Sequence, residues 1–313
     1  MRALLCPASL KGVLTAGDAA AALARGVRAA GGHAVELPLA DGGEGTAVAI
    51  RTVLGGEWRQ AVVSDPLGRP HAARWLILPD GRAVVEAAAA IGLPLLTPGE
   101  RDPLVTSSRG FGELLQAALR ESPSGLLIGL GGSATVDGGA GLREVLRVLP
   151  VPTTVLCDVR TTVADAARLF GPQKGATAEN VPVLERRLSE MEELRPFAGL
   201  AGSGAAGGLG AALAAAGARL VEGAPAVLEL VCFDAHLAGA DLVVTGEGQV
   251  DRTTAEGKAP GVVAARCAAA GVRCVVFGGR VLAPVAGAET VALSGDRSRA
   301  AADLEALGRR LGS

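Results

Sequence analysis

The chain has 313 residues, 49% of them apolar, with a formal charge of −2 and a pI near 6.0. That length suffices for roughly two domains, each with its own core. The near-neutral charge excludes the basic footprint of a nucleic-acid binder, no apolar run reaches the roughly 20 residues of a membrane span, and aromatics at 2% remove base-stacking platforms.

In chain order, residues 2–6 (Arg-Ala-Leu-Leu-Cys) read as a strand, too short an apolar stretch for a secretory signal. A helix follows over about 17–30, with Thr15 and Asp18 in a T-x-x-D capping pattern and Gly31 as its stop. Residues 34–39 read as a second strand, and Asp41-Gly42-Gly43-Glu44-Gly45-Thr46 opens a helix that ends at Gly55-Gly56. Two strand–loop–helix units in succession start a parallel sheet. Residues 57–88 change character: strands alternate with Pro-Leu-Gly and Pro-Asp-Gly turns, the chemistry of an antiparallel meander. A helix over 107–120 and a strand over 125–130 restore the alternation. Residues 201–217 form a Gly-rich turn feeding an Ala-rich helix. The runs 241–245 and 272–277 are near-continuously apolar, as strands buried on both faces must be, and Pro260 starts the helix between them. The expected fold is α/β: a discontinuous Rossmann-like parallel-sheet domain (1–56, 100–132 and 238–313) with an inserted second mixed α/β domain (57–99 and 133–237).

Five cysteines, Cys6, Cys157, Cys232, Cys267 and Cys274, are scattered and lack CxxC spacing, which argues for a reducing cytoplasm and against zinc or a disulfide framework. Cys157 reads as a small buried hydrophobe. His33, His71 and His236 lie far apart without ligand spacing.

Three predicted strands run into loops that combine glycines with acids: 41–46, then 131–139 (Gly-Gly-Ser-Ala-Thr-Val-Asp-Gly-Gly), then 245–251 (Thr-Gly-Glu-Gly-Gln-Val-Asp), which continues to Lys258. Ligands of open α/β sheets bind beyond the carboxyl ends of strands. Glycines free backbone N–H groups for anionic oxygens, and acids in the same place call for a bridging cation such as Mg²⁺. Any one of these loops reads equally well as a turn and a helix cap. Only three lysines stand against twenty-seven arginines, and Lys11, Lys174 and Lys258 each adjoin a glycine. A compact ammonium beside exposed backbone suits phosphate handling. No Walker A motif occurs. The run 202–207 (Gly-Ser-Gly-Ala-Ala-Gly) matches GxGxxG, with Glu222 twenty residues beyond Gly202, yet the segment before it is polar and carries Pro196, so the strand that motif requires is not expected.

The segments PASLKGVLTA, PLADGGEGT, GLGGSATVDGGAG, FGPQKGAT, GSGAAGGLGAAL and TGEGQVDRTTAEGKAP together resemble the bacterial type I glycerate kinase family, in that family's order, across residues 7 to 260. The resemblance implies ATP-dependent phosphorylation of D-glycerate, on the 2-hydroxyl in preference to the 3-hydroxyl, in glyoxylate or sugar-acid breakdown, with the Mg²⁺ that the glycine–acid loops call for. It also implies two α/β domains with the active site between them; composition, charge and the scattered cysteines add the expectation of a cytoplasmic protein with no nucleic-acid or membrane partner, and a homodimer stays open. The chain departs from the family at Ala8, where an aspartate is usual, near Thr161-Thr162, where Asn-Pro is usual, and near Thr253, where Gln is usual. The stretch 143–155 and the C-terminal end are shorter than usual.

On this reading Asp251 is the expected base, with Asp41 second, and Lys11 and Lys258 neutralise the transferred phosphoryl group. The backbone of Gly131, Gly132, Ser133, Ala134 and Thr135, with Gly246 and Gly248, is expected to cradle nucleotide phosphates. Asp137 or Glu44 would hold Mg²⁺, and Arg69, Lys174 and Ser9 would bind glycerate. The rival readings are an NAD-dependent oxidoreductase built on 202–207 and a kinase-like binding protein without turnover.

Overall fold

A computed structural model of the chain describes residues 1–255 and 257–312. β1 (Arg2–Pro7) leads through α1 (Ala16–Ala29) to β2 (His33–Glu36) and α2 (Thr46–Leu54). The meander follows as β3 (Glu57–Ser64), β4 (Pro70–Ile77) and β5 (Ala83–Glu86), then α3 (Ala87–Ile91), α4 (Arg109–Arg120), β6 (Leu126–Gly129), α5 (Ala140–Val145) and β7 (Thr153–Cys157). Helices α6 (Val163–Phe170), α7 (Asn180–Glu190) and α8 (Ala205–Ala215) precede β8 (Arg219–Glu222). The chain closes with α9 (Gly223–Leu230), α10 (Phe233–Leu237), β9 (Leu242–Val250), α11 (Arg252–Ala255), α12 (Ala259–Ala270), β10 (Arg273–Val281), β11 (Glu289–Ala292) and α13 (Ala300–Gly312). No helix among the described residues is long and apolar enough to cross a membrane.

Two compact units result, one from residues 1–41, 48–54 and 224–313, the other from 42–47 and 55–223. The first holds a five-stranded sheet, order β11-β10-β9-β1-β2, with every pairing parallel. Alternation along its strands assigns the two faces. Ala3, Leu5, Leu242, Val244, Val275 and Phe277 share one core with Leu23 and Val27 of α1 and Leu304, Leu307 and Leu311 of α13. The intervening Leu4, Cys6, Val243, Cys274 and Val276 are equally buried, the pattern of a sheet covered on both sides. Cys6, Cys267 and Cys274, distant in sequence, are buried close enough to influence one another's thiols.

The α1 start follows its cap: the Thr15 hydroxyl accepts from the Asp18 N–H at 3.1 Å and donates to the Asp18 carboxylate at 2.6 Å. Strands β9 and β10 run past their apolar stretches to Val250 and Val281, pairing Glu247 with Gly278 and Gln249 with Arg280. Gly246 permits this, because a Cβ there would sit 2.2 Å from the Phe277 carbonyl oxygen. The segment 245–250, expected as a loop, is therefore strand.

The second unit holds a six-stranded mixed sheet in sequential order β3-β4-β5-β6-β7-β8, antiparallel over its first pairs and parallel from β5 onward. Its core joins Trp75, Val85, Phe111, Leu114, Ile128, Val155 and Leu209. The Pro-Leu-Gly turn closes as Asp65 Oδ1 accepts from the N–H groups of Leu67 and Arg69 at 2.8 and 2.9 Å, with Gly68 at φ +83°.

The segment 100–132, grouped from sequence with the Rossmann-like domain, lies in this second unit. β6 hydrogen-bonds to β5 and β7, and Phe111 and Leu114 of α4 fill the second core. An apolar four-residue strand suits either sheet; the open edge of β5 is what recruits it.

Candidate active site

In the first sheet the chain leaves β1 toward β2 on one side and re-enters at β9 on the other. The reversal places a topological switch point at the carboxyl ends of β1 and β9, where doubly wound sheets bind ligands. Ala8, Ser9, Lys11 and the β9 residues Gly246 to Val250 stand there, with the Ala8 N–H donating to the Gly246 carbonyl at 2.9 Å. Lys11 and Ser9 are exposed.

Glu247 is the acid this geometry singles out. Its side chain is 15% exposed, its Oε1 accepts from the Thr254 hydroxyl at 2.7 Å, and its Oε2 lies 3.4 Å from Lys258 Nζ. Burial pushes its carboxyl above the usual glutamate range, and the neighbouring Asp41 carboxylate pushes the same way, against Thr254 and Lys258. Asp41, Glu247 and Lys258 thus form one interacting group. The sequence contained a signal for Glu247, an acid one glycine beyond an apolar strand, in a loop where only Asp251 was given a role.

Asp251 is held differently. Its Oδ1 accepts from the Thr253 N–H at 2.9 Å and hydroxyl at 2.6 Å, and its Oδ2 accepts from Gln249 Nε2 at 2.9 Å. These donors, Thr253 first, hold its carboxyl down to about 2. It sits directly before α11 as a capping carboxylate, stabilised in its charged form and poorly basic. Gly246 is taken up by strand packing. Gly248 is more open: a Cβ there would meet nothing nearer than 3.7 Å, and the residue lines a cavity with Lys11.

Within the second unit the 131–135 loop is closely packed. The Gly131 N–H donates to Gly42 O at 3.4 Å and the Ala134 N–H to Ile91 O at 2.8 Å. A Cβ on Gly131 would lie 2.5 Å from Gly43 Cα and 3.0 Å from the Asp158 carboxylate, and one on Gly132 3.3 Å from that of Glu44. Two of the N–H donors expected for phosphate are spent on protein, and the neighbouring side chains are acids. Lys174 is buried beneath this loop, donating to Ser133 Oγ at 3.1 Å and Thr135 O at 2.8 Å. Burial pushes its ammonium down to about 8, against the pull of Asp137 and Asp158. It braces the loop from inside.

Two further residues of the expected site already hold partners within the fold. Asp137 accepts from the Ser108 N–H and hydroxyl, and from the N–H groups of Gly139 and Gly141, at 2.7–3.2 Å, so its oxygens tie the 137–141 turn to the start of α4. Arg69 pairs with Asp65 and Glu100, each at 2.6 Å, and this neutralises the guanidinium expected to bind a substrate carboxylate. Glu44 is exposed and lines a cavity of about 300 Å³ with His71, Arg74, Ala89 and Leu95. Among the described residues no three His, Cys, Asp or Glu side chains converge as a metal cluster.

The 202–207 run is not a dinucleotide fingerprint. No strand leads into Gly202 among the described residues, and Ala206, Gly207 and Gly208 take left-handed backbone angles. Side chains at Gly204 and Gly207 would strike the carbonyl oxygens of Thr162 and Thr135 at 2.1 and 2.3 Å, so the chain's own backbone fills the approach a pyrophosphate needs.

The model of the glycerate kinase family matches residues 3–151 and 144–295. The chain is 38% identical to a glycerate kinase of Bacillus subtilis and 38% identical to a glycerate 2-kinase of Escherichia coli, each over 305 residues that cover 83% of this chain and 80% of the relative. A crystal structure of a protein assigned as glycerate kinase 2 from Salmonella typhimurium LT2 superposes with a TM-score of 0.86 at 33% identity, covering 100% of this chain and 97% of the other.

Proposed function

This chain belongs to the glycerate kinase family, and we propose that it transfers the terminal phosphoryl group of ATP to the 2-hydroxyl of D-glycerate, within organic-acid breakdown in the cytoplasm. The name of the Escherichia coli relative supports the 2-position over the 3-position. The observation that carries the chemistry is the Glu247–Lys258 pair at the switch point, with Asp41 beside it and Lys11 nearby.

The glycerate oxygen forms a bond to the γ-phosphorus as the bond from that phosphorus to the ADP oxygen breaks, and the hydroxyl proton passes to a base. We assign that base to Glu247, whose desolvated carboxyl lies closer in basicity to its task than Asp251 does. Lys258 and Lys11 offset charge on the transferred group and on ADP. Mg²⁺ supplies further charge neutralisation when bound. Asp41 fits it, being a hard oxygen donor beside a second acid, and such ions are held by one or two carboxylates plus phosphate oxygens. Asp251 shapes the segment that carries Lys258 by capping α11.

The test is turnover of D-glycerate with ATP and Mg²⁺, read by phosphorus NMR. A 2-phosphoglycerate product is expected. Glu247→Gln is expected to lower kcat by about 10²-fold or more, the scale of general-base loss, whereas Asp251→Asn costs about tenfold or less. The reverse ranking returns the base to Asp251, and absence of product from the wild type overturns the donor or acceptor assignment.

A further inference from the structure

The first unit contains a cavity of about 370 Å³ that the chemistry above uses only at its edge, through Lys11 and Gly248. Its floor is a row of glycines across the carboxyl edge of the sheet. A Cβ on Gly248 would sit 3.7 Å from Leu10 Cα, one on Gly279 2.8 Å from the Gly248 carbonyl oxygen, and one on Gly295 3.7 Å from the Gly279 carbonyl oxygen. Gln249 and Arg280, from the same two strands, line the space beside these glycines. Its walls are aliphatic: Leu10 and Val13 from the segment between β1 and α1, Leu293 and Ala300 from the chain after β11. Arg297 Nη2 donates to Gly12 O at 3.0 Å and ties those two segments together.

The charges are ordered too. Asp303 already accepts from the Ser294 N–H and hydroxyl, and Asp296 from the Ser298 N–H and hydroxyl. Lys11, whose backbone N lies 3.7 Å from where a Cβ on Gly248 would sit, and Arg280 also line the space. Aliphatic walls with a lysine, an arginine and glycine backbone in the same lining match a planar heterocycle with an anionic tail. Its volume lies in the range of small-molecule sites.

We propose that this cavity binds the base and ribose of the nucleotide donor, a purine nucleoside di- or triphosphate, with the phosphates leading to Lys11 and Gly248. The inference rests on the kinase reading and names where the donor sits: in the unit that carries Glu247, not on the 131–135 loop. With no aromatic side chain in its lining, the slot grips the base by aliphatic contact and Gly backbone and not by ring stacking.

Titration calorimetry with ADP, on the full chain without glycerate, tests it. Leu293→Trp fills the slot from a half-buried position, and Val13→Trp fills it from a different segment. In whichever variant keeps the wild-type melting profile, ADP affinity is expected to fall at least tenfold, the KM for ATP to rise in parallel, and the KM for D-glycerate to change less than twofold. Unchanged ADP affinity in a folded filled variant overturns the proposal, as does a wild type that binds no ADP. If the wild type binds ADP, loses it on filling, and turns over no glycerate, the slot stands and the acceptor assignment falls. If turnover is normal and filling has no effect, the slot falls alone.

Discussion

Lys174 and Asp137 show how the fold engages side chains whose chemistry also suits a binding site. Both stand in segments that resemble the family, and both are consumed by the protein: Lys174 by Ser133 and Thr135, Asp137 by Ser108 and its own turn. Removing Asp137 leaves buried donors of Ser108 unmatched, so Asp137→Ala is expected to cost about 3 kcal/mol of stability in urea unfolding, the scale of lost charged hydrogen bonds. A metal-ligand role predicts instead a stable protein without activity. For Lys174 the sign follows from its ammonium being pushed down to about 8 in the fold, against about 10.4 when unfolded. Between those values the unfolded chain holds a proton that the folded one lacks, so stability gained from this group rises with pH. The stability difference between wild type and Lys174→Met should therefore grow in favour of the wild type from pH 8 to pH 10; a flat difference means the ammonium is not desolvated.

At the scale of single elements, patterning and turn chemistry placed the strands and helices from β1 to α2, the meander, α4 and α12. Thr15 and Asp18 fixed the start of α1, and Asp65 and Gly68 made the β3–β4 turn. Two elements differ from their local pattern. The β9 extension through Gly246 to Val250 looked like a loop because glycine and polar residues have low strand propensity, yet strand pairing with β10 holds it extended. Helix α8 contains Ala206, Gly207 and Gly208 in left-handed conformations, imposed by contacts with Thr135 and Gly138 that no local pattern reveals. Close approach also explains α4, where a Cβ on Gly110 would lie 1.6 Å from the Ser64 carbonyl oxygen. Gly110→Ala should push the helix off β3 and cost about 3 kcal/mol or more, by overpacking. Gly99→Ala, with nothing within 4 Å and no left-handed backbone, should stay within about 0.5 kcal/mol of wild type. Chemical denaturation of the pair checks both.

At the scale of the whole molecule, two sheets own two separate cores, and the chain passes between the units at 41–42, 47–48, 54–55 and 223–224. Phe111→Ala, in the second core, should cost about 3–5 kcal/mol, the usual loss for a fully buried Phe. Hydrogen exchange should show the larger loss of protection in β5, β6 and β7; an equal loss in β1 and β9 would mean that the two cores open as one.

The sequence by itself determined the α/β alternation, the antiparallel meander, the family and the order of the glycine–acid segments, because these depend on periodicity, turn residues and local motifs. Only the tertiary structure decided which sheet recruits β6, which of the acids Asp41, Asp137, Glu247 and Asp251 are saturated by donors, and where Gly248, Gly279 and Gly295 leave a slot. Those outcomes depend on neighbours that are distant in the chain. A carboxylate reads the same in sequence whether the fold surrounds it with N–H groups or leaves it desolvated beside a lysine, and that surrounding sets its charge, its basicity and its use.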